Sequence, residues 1–238
     1  MNEVIEQIFR SNRVEDAQGK MHAPVSAVTF ETGALLYDFV RRVRPERTLE
    51  VGMAYGISTL FICQALRDNG MGAHTAIDPL EKSDFRSVGL LNLDRAKLKH
   101  LVQLHEAPSH RVLPELCLQN ERFEFAFIDG RHLFDFVLVD FFYIDRLLPV
   151  NGHVAFDDLW MPAIRKAVSF VLRNKPYRLI HMPSRYPPPR WRRALRMARR
   201  FGQRPAEKGW ALKFVPSNVV FLKKLAQDDR PWNYHKPF

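Results

Sequence analysis

The 238-residue sequence predicts an α/β domain. Its expected architecture is a seven-stranded, mostly parallel sheet with helices on both faces and an antiparallel last strand. Three observations carry this reading. Short apolar runs of strand length alternate with longer stretches of helical period, the pattern of a parallel sheet with crossover helices. The first run leads into a glycine-containing turn before a helix, Glu50-Val51-Gly52-Met53-Ala54-Tyr55-Gly56. Later runs end in Asp78, Asp129 and Asp157-Asp158, which collects carboxylates along one edge of the sheet.

Met1 to Arg10 carries Glu3 and Glu6 in a short helical pattern and lacks the basic start and apolar run of a signal peptide. Residues 26–44 read as a helix with Val28, Leu35, Leu36, Phe39 and Val43 on one face, stopped by Pro45. Residues 1–44 thus form a helical segment suited to a lid or cap. Thr48–Val51 is the first strand and Ile57–Leu66 its helix. Ala73–Asp78 is the second strand, followed by a helix over 88–99. Leu101–His105 is the third, followed by a helix over Ser109–Leu118 with Ser109 as a natural N-cap. Phe123–Asp129 is the fourth, followed by a very apolar helix over 132–148. His153–Phe156 is the fifth, followed by a helix over Pro162–Arg173. Tyr177–Met182 and Asn218–Lys223 complete the sheet. Between them lies a basic, Pro-rich insert, 184–210, in place of a crossover helix.

The whole chain, 1–238, reads as one domain, with 46% hydrophobic and 26% charged residues. No stretch approaches the roughly 18 apolar residues of a membrane-spanning helix. Cys63 and Cys117, both in apolar helical patterns, read as reduced thiols of a cytoplasmic protein. The net charge of +10 is concentrated: 185–208 holds eight Arg and one Lys against one Glu, a local +8. Trp191, Ala194, Leu195, Ala198 and Phe201 recur there at helical spacing, with Arg192, Arg193, Arg196, Arg199 and Arg200 elsewhere around the helix. Three readings stay open. The segment lies on an anionic membrane surface, giving peripheral attachment, holds phosphates, or covers the active site as a flap. Nucleic acid is not the expected partner, and a homo-oligomer is compatible with everything above.

The loop after the first strand lacks the G-x-G-x-x-G spacing of dinucleotide enzymes. Its small residues let backbone N–H groups and the helix start approach a ligand, although a tight turn alone has the same composition. Glu50 would repel a pyrophosphate and suits a cationic ammonium group. Asp78 is placed to accept both hydroxyls of a ribose, or to cap the turn before Pro79. Asp129, Asp157, Asp158 and His132 converge in the same crevice. Uncompensated carboxylates are costly, and a hard cation such as Mg²⁺ resolves the cost with oxygen ligands. His132, three residues after Asp129, suits a general base near neutral pH.

Together these residues resemble the class I S-adenosylmethionine-dependent methyltransferases, which have a Rossmann-like sheet. The nearest likeness is to the metal-dependent O-methyltransferases that tailor antibiotics and sugars, with catechol O-methyltransferase more distant. It rests on Leu49–Gly52 through Ser58-Thr59-Leu60, Ile77-Asp78, Phe127–His132, Val154–Asp158 and Arg165-Lys166-Ala167. It covers about residues 30–182 plus the last strand. The resemblance implies S-adenosylmethionine contacts at Glu50, Gly52, Ala54, Tyr55, Gly56, Ser58, Asp78, Ser109, His110 and Asp129. Glu50 and Gly52 would take the methionine part, Asp78 the ribose, and Ser109 and His110 the adenine end. Asp129, Asp157 and Asp158 would bind Mg²⁺, with His132 as base and Asp129 beside it in catalysis. Ala54 departs from the Gly of many relatives. The acceptor, a small molecule, a glycan or a lipid-linked hydroxyl, matches no motif. A nicotinamide-dependent oxidoreductase, or a non-catalytic module binding nucleic acid or membrane on the same fold, is the competing reading. Glu50 and the glycine spacing oppose the first, and the intact carboxylate set opposes the second.

Overall fold

The computed structural model describes residues 2–185 and 217–238, together with Ala194. Helix α1 (Glu3–Ser11) is capped by Asn2, whose side chain accepts from the Val4 N–H. Strands β1 (Val14–Glu15) and β2 (Met21–His22) form a small antiparallel pair that the sequence pattern does not announce. Helix α2 (Phe30–Val43) begins later than the periodicity suggests, because Thr29 caps it through the Thr32 N–H. Then follow β3 (Arg47–Val51), α3 (Ile57–Asn69), β4 (Ala73–Ile77), α4 (Val88–Arg95), β5 (Val102–His105) and α5 (Ser109–Leu118). The remainder is β6 (Phe125–Ile128), α6 (Phe134–Leu147), β7 (His153–Phe156), α7 (Pro162–Asn174), β8 (Tyr177–Ile180) and β9 (Val220–Lys224).

The seven-stranded sheet has the order β5-β4-β3-β6-β7-β9-β8. Strands β3 to β7 pair in parallel, and β9 is antiparallel to both β7 and β8. The expected antiparallel last strand is present, but it fills a slot inside the sheet and β8 takes the edge. Succession runs outward in both directions from the β3–β6 pair. The crevice above their C-terminal ends is therefore the switch point where α/β sheets take ligands.

Side chains alternate across the sheet, as a period of two requires. Phe125 and Phe127 join α1–α4 on one face, while Ala126 and Ile128 join α5–α7 on the other. On the first face Phe39 stacks on Phe221 at 4.4 Å between centroids and meets Phe125 at 5.3 Å. Burial of each ring is worth about 2–3 kcal/mol. The same alternation turns Thr48 and Glu50 toward α3 and sends Leu49 and Val51 the other way. Both thiols are free, Cys63 buried and Cys117 half-buried. No described helix is long and apolar enough to cross a membrane. The basic helix expected around Trp191–Phe201 lies, but for Ala194, outside the described residues. At its near end Arg185 pairs with Asp38 at 3.1 Å.

Candidate active site

The loop from Gly52 to Gly56 is shaped by three left-handed residues, with φ of 92° at Gly52, 47° at Ala54 and 72° at Gly56. At Gly52 a Cβ would stand 2.3 Å from the Asp129 backbone oxygen, so only glycine lets β3 and β6 discharge side by side. Ala54 holds a conformation that costs an L-residue about 1–2 kcal/mol. Asp78 supports it. Its Oδ2 accepts from the Met53 N–H at 2.9 Å and the Ala54 N–H at 2.7 Å, and its Oδ1 accepts from the Leu80 N–H at 2.8 Å. Gly56 caps α3 without a side-chain hydrogen bond.

Above this loop is a cavity of about 640 Å³, within the range for small-molecule sites. Gly52–Tyr55, Ser58, Asp78, Ser109 and His110 form part of its wall, and Asp129–His132 form another. Ser26, Ala27 and Val28 close it from the N-terminal segment. Arg131 sits on its rim with the guanidinium 4.8 Å from the Phe136 ring centre.

At the ends of β6 and β7 one ligand atom each from Asp129, His132 and Asp158 lie within 4.8 Å of one another. His132 Nε2 is 3.3 Å from Asp129 Oδ1 and 3.2 Å from Asp158 Oδ2. Asp158, at φ 52°, accepts from the Trp160 indole N–H at 2.8 Å and from the Asn218 amide at 2.9 Å. Asn218 also reaches Asp157 at 3.4 Å. Burial, and then the Asp158 and Glu50 charges, push the Asp129 carboxyl well above the usual range. Burial, and then Asp129 and Asp158, do the same to Asp157. Carboxylates so crowded fit a hard divalent cation, whose charge would reverse the repulsion.

The sequence-derived residues do not all stand where expected. Glu50 is fully buried behind the loop and does not line the cavity. Its Oε2 accepts from the Thr59 hydroxyl at 2.5 Å and lies 3.2 Å from His74 Nε2, while Oε1 has no partner. Gly56 lies behind the wall too, its Cα packed so that a Cβ would meet the Gly89 backbone at 3.0 Å. Ser109 is not the N-cap of α5. Pro108 holds that place, its extended ψ of 139° fixing the entry, and Ser109 is the first helical residue. His132 precedes α6 in the loop and does not start the helix. Asp157, 4% exposed, sits apart from the tight trio, and His132 takes its expected place there. Asn218, Trp160, His74 and Ser26–Val28 went unforeseen. Only Trp160 carries a local signal, as a large aromatic two residues from a site Asp.

A family model described as a methyltransferase domain matches residues 49–159. Caffeoyl-CoA O-methyltransferase of Populus kitakamiensis is 26% identical over 165 residues, which span 65% of this chain and 66% of that protein. Among solved structures, the O-methyltransferase TomG of Streptomyces achromogenes, in complex with S-adenosylmethionine, matches with a TM-score of 0.63 and 16% identity over 95% of this chain and 91% of that one. The S-adenosylhomocysteine-bound methyltransferase PaMTH1 of Podospora anserina matches with a TM-score of 0.65 and 13% identity over 95% and 89%. The O-methyltransferase of Bacillus cereus in complex with S-adenosylhomocysteine matches with a TM-score of 0.60 and 18% identity over 76% and 83%. At these identities the structural likenesses speak for the fold.

Proposed function

We infer that this chain, a class I S-adenosylmethionine-dependent methyltransferase, transfers its methyl group to a hydroxyl of a small-molecule or glycan acceptor with Mg²⁺ assistance. The observation that carries the reading is one cavity that joins the Gly52–Tyr55 loop and Asp78 to Asp129 and His132. The loop and Asp78 would hold the methionine and ribose parts. Asp78 already receives three backbone N–H groups, so its remaining acceptor capacity is small and a ribose would take what is left.

Asp129 and Asp158, which share the close cluster, would hold the cation with Asp157 in support behind them, and when bound it would stabilise developing negative charge on the acceptor oxygen. His132 would take the hydroxyl proton as the oxygen bonds to the sulfonium methyl, and S-adenosylhomocysteine leaves. Both carboxylates beside its Nε2 would stabilise the imidazolium so formed. Holding oxygen, methyl and sulfur in line supplies on the order of 7–11 kcal/mol at best. Ser26–Val28 would exclude water from this line.

Calorimetry with S-adenosylmethionine, S-adenosylhomocysteine and NAD tests the cofactor. Micromolar binding of the first two and none of the third is expected, and NAD binding alone would overturn the reading. Transfer of labelled methyl to a panel of hydroxyl acceptors, with and without EDTA, then tests the cation. Full turnover in EDTA removes Mg²⁺ and leaves the methyltransferase.

A further inference from the structure

The acidic centre is split between two loops, each leading into its own helix. His132 precedes Phe134, where α6 begins, and Asp158 precedes Pro162, where α7 begins. Leu133 and Met161 occupy the cap positions without a side-chain hydrogen bond, so neither helix start is pinned by its own cap. The two loops keep their spacing only through what packs around them. On the α7 side, Arg165 Nη1 donates to the Leu159 carbonyl at 3.2 Å and to the Trp160 carbonyl at 2.6 Å, while the Trp160 indole N–H donates to Asp158. The first turn of α7 thus grips the Asp158 loop.

The segment 226–238, which follows β9, returns along α7. The buried Asn174 amide donates to the Lys236 carbonyl at 2.9 Å, and its oxygen accepts from the Lys236 N–H at 2.8 Å. Arg173 Nε donates to the Pro237 carbonyl at 2.7 Å. So anchored, the segment lays the Phe238 ring against both helices. It meets the Phe170 ring of α7 edge-on at 5.1 Å and lies nearly parallel to the Phe134 ring of α6 at 6.5 Å. Lys166 Nζ stands 5.9 Å from the centre of the same ring.

We propose that Phe238 is a positioning residue that ties α6 to α7 at Phe134 and Phe170, and so holds the Asp129–His132 loop and the Asp158–Trp160 loop at the spacing a divalent cation needs. This rests on the reading that the acidic centre takes a cation. The contact to be kept is the one that spans the two loops, 3.2 Å between His132 Nε2 and Asp158 Oδ2. Phe238 is not among the residues of that cluster, so it acts through the helices. Ligand groups carried on separate loops bind more tightly when the loops are fixed beforehand, because the cation then does not have to order them. The Gly52–Gly56 loop follows β3 and takes its shape from Asp78, which makes cofactor affinity the control.

The test compares the whole chain with Phe238→Ala and Phe238→Tyr. Mn²⁺ binding is read by electron paramagnetic resonance and S-adenosylhomocysteine binding by calorimetry. Phe238→Ala should bind Mn²⁺ about tenfold more weakly, the low end of what supporting groups contribute to a metal site. Its S-adenosylhomocysteine affinity should stay unchanged. Phe238→Tyr keeps the ring and should restore Mn²⁺ binding. Hydrogen exchange without metal should quicken in the segments 129–136 and 157–164 of Phe238→Ala and stay unchanged over 52–60. Unaltered Mn²⁺ affinity in Phe238→Ala overturns the proposal. So does equal loss of Mn²⁺ and S-adenosylhomocysteine, which would mean a general loosening, and so does a tyrosine variant no better than alanine. If Phe238→Ala does not fold, Phe238→Leu takes its place in each measurement. Wild type that binds no Mn²⁺ overturns the cation reading, and exchange then decides this inference alone: quickening confined to the two loop segments upholds the tie, and any other pattern removes it.

Discussion

Two carboxylate sites stand on the same edge of the sheet and are treated in opposite ways. At the end of β4, Asp78 receives three backbone N–H groups and sits quietly in its own turn. At the ends of β6 and β7, burial drives the carboxyls of Asp129 and Asp157 upward, helped by the Asp158 and Glu50 charges at Asp129 and by the Asp129 and Asp158 charges at Asp157. The first site spends its charge on holding a loop in shape. The second keeps its charge unspent. One is finished by folding, and the other is finished by what it binds, so their variants should fail in different ways.

The largest expected effect separates chemistry from binding. His132→Ala should lower turnover by about 10²–10⁴-fold, the usual worth of a general base, while S-adenosylhomocysteine affinity by calorimetry stays within a factor of about two. Equal loss of both would merge the two sites into one.

Asp78→Ala should behave in the reverse way. It strands two loop N–H groups and the Leu80 N–H, each worth about 1–3 kcal/mol when buried unpaired. Only the Met53 N–H contact is fully buried, and water can reach the part-buried Ala54 and Leu80 groups, so denaturant unfolding should show a loss of about 2–4 kcal/mol, and cofactor binding should drop below detection. A variant that keeps full stability would mean that the loop holds itself.

Asp157→Asn sharpens the contrast further, because it removes a charge that folding disfavours. The sign follows from linkage: a carboxyl raised in the folded state favours folding below its unfolded pKa near 3.9 and loses that contribution as pH climbs through its folded value. In EDTA at pH 8 the variant should therefore melt above wild type. Millimolar Mg²⁺ should raise the wild-type Tm by a few degrees and leave the variant unmoved. A variant that melts lower in EDTA would show that Asp157 is already compensated.

Smallest of all is Ala54→Gly. Relief of the left-handed strain, offset by a freer unfolded chain, should give a net gain under about 1 kcal/mol. That is a Tm rise of roughly 1–3 °C by calorimetric scan. A drop would place the strain elsewhere in the loop.

Much of this was readable because parallel-sheet strands announce themselves. Phe125–Ile128 is an apolar run buried throughout, and β3 and β4 are buried over four of their five residues although Glu50, His74 and Thr75 interrupt their apolar character. The Asp residues at their ends follow from the same pattern. The β1–β2 pair escaped notice because two residues per strand cannot show a period. Glu50 misled for a subtler reason. Its place beside the loop in sequence suggested a ligand contact, yet strand alternation turns it to the opposite face, against Thr59 and His74. Asn218 had no signal at all, since only the strand order brings it to Asp158, 60 residues earlier. Ser109 lost the cap to Pro108, whose fixed φ already serves the helix entry.

The place of β9 also sets an order of assembly. Strands β7 and β8 do not touch each other and are joined only when β9 slides between them. A chain emerging from the ribosome makes β7 and β8 well before β9, and the ends of the long segment between β8 and β9 must come together before either edge is satisfied. Until that moment β7 offers an open row of amides, a surface that invites pairing with another chain. The same step delivers Asn218 to the carboxylates. Completion of the sheet and completion of the acidic centre are thus one event in time, and a chain that has not finished folding has no finished acidic centre.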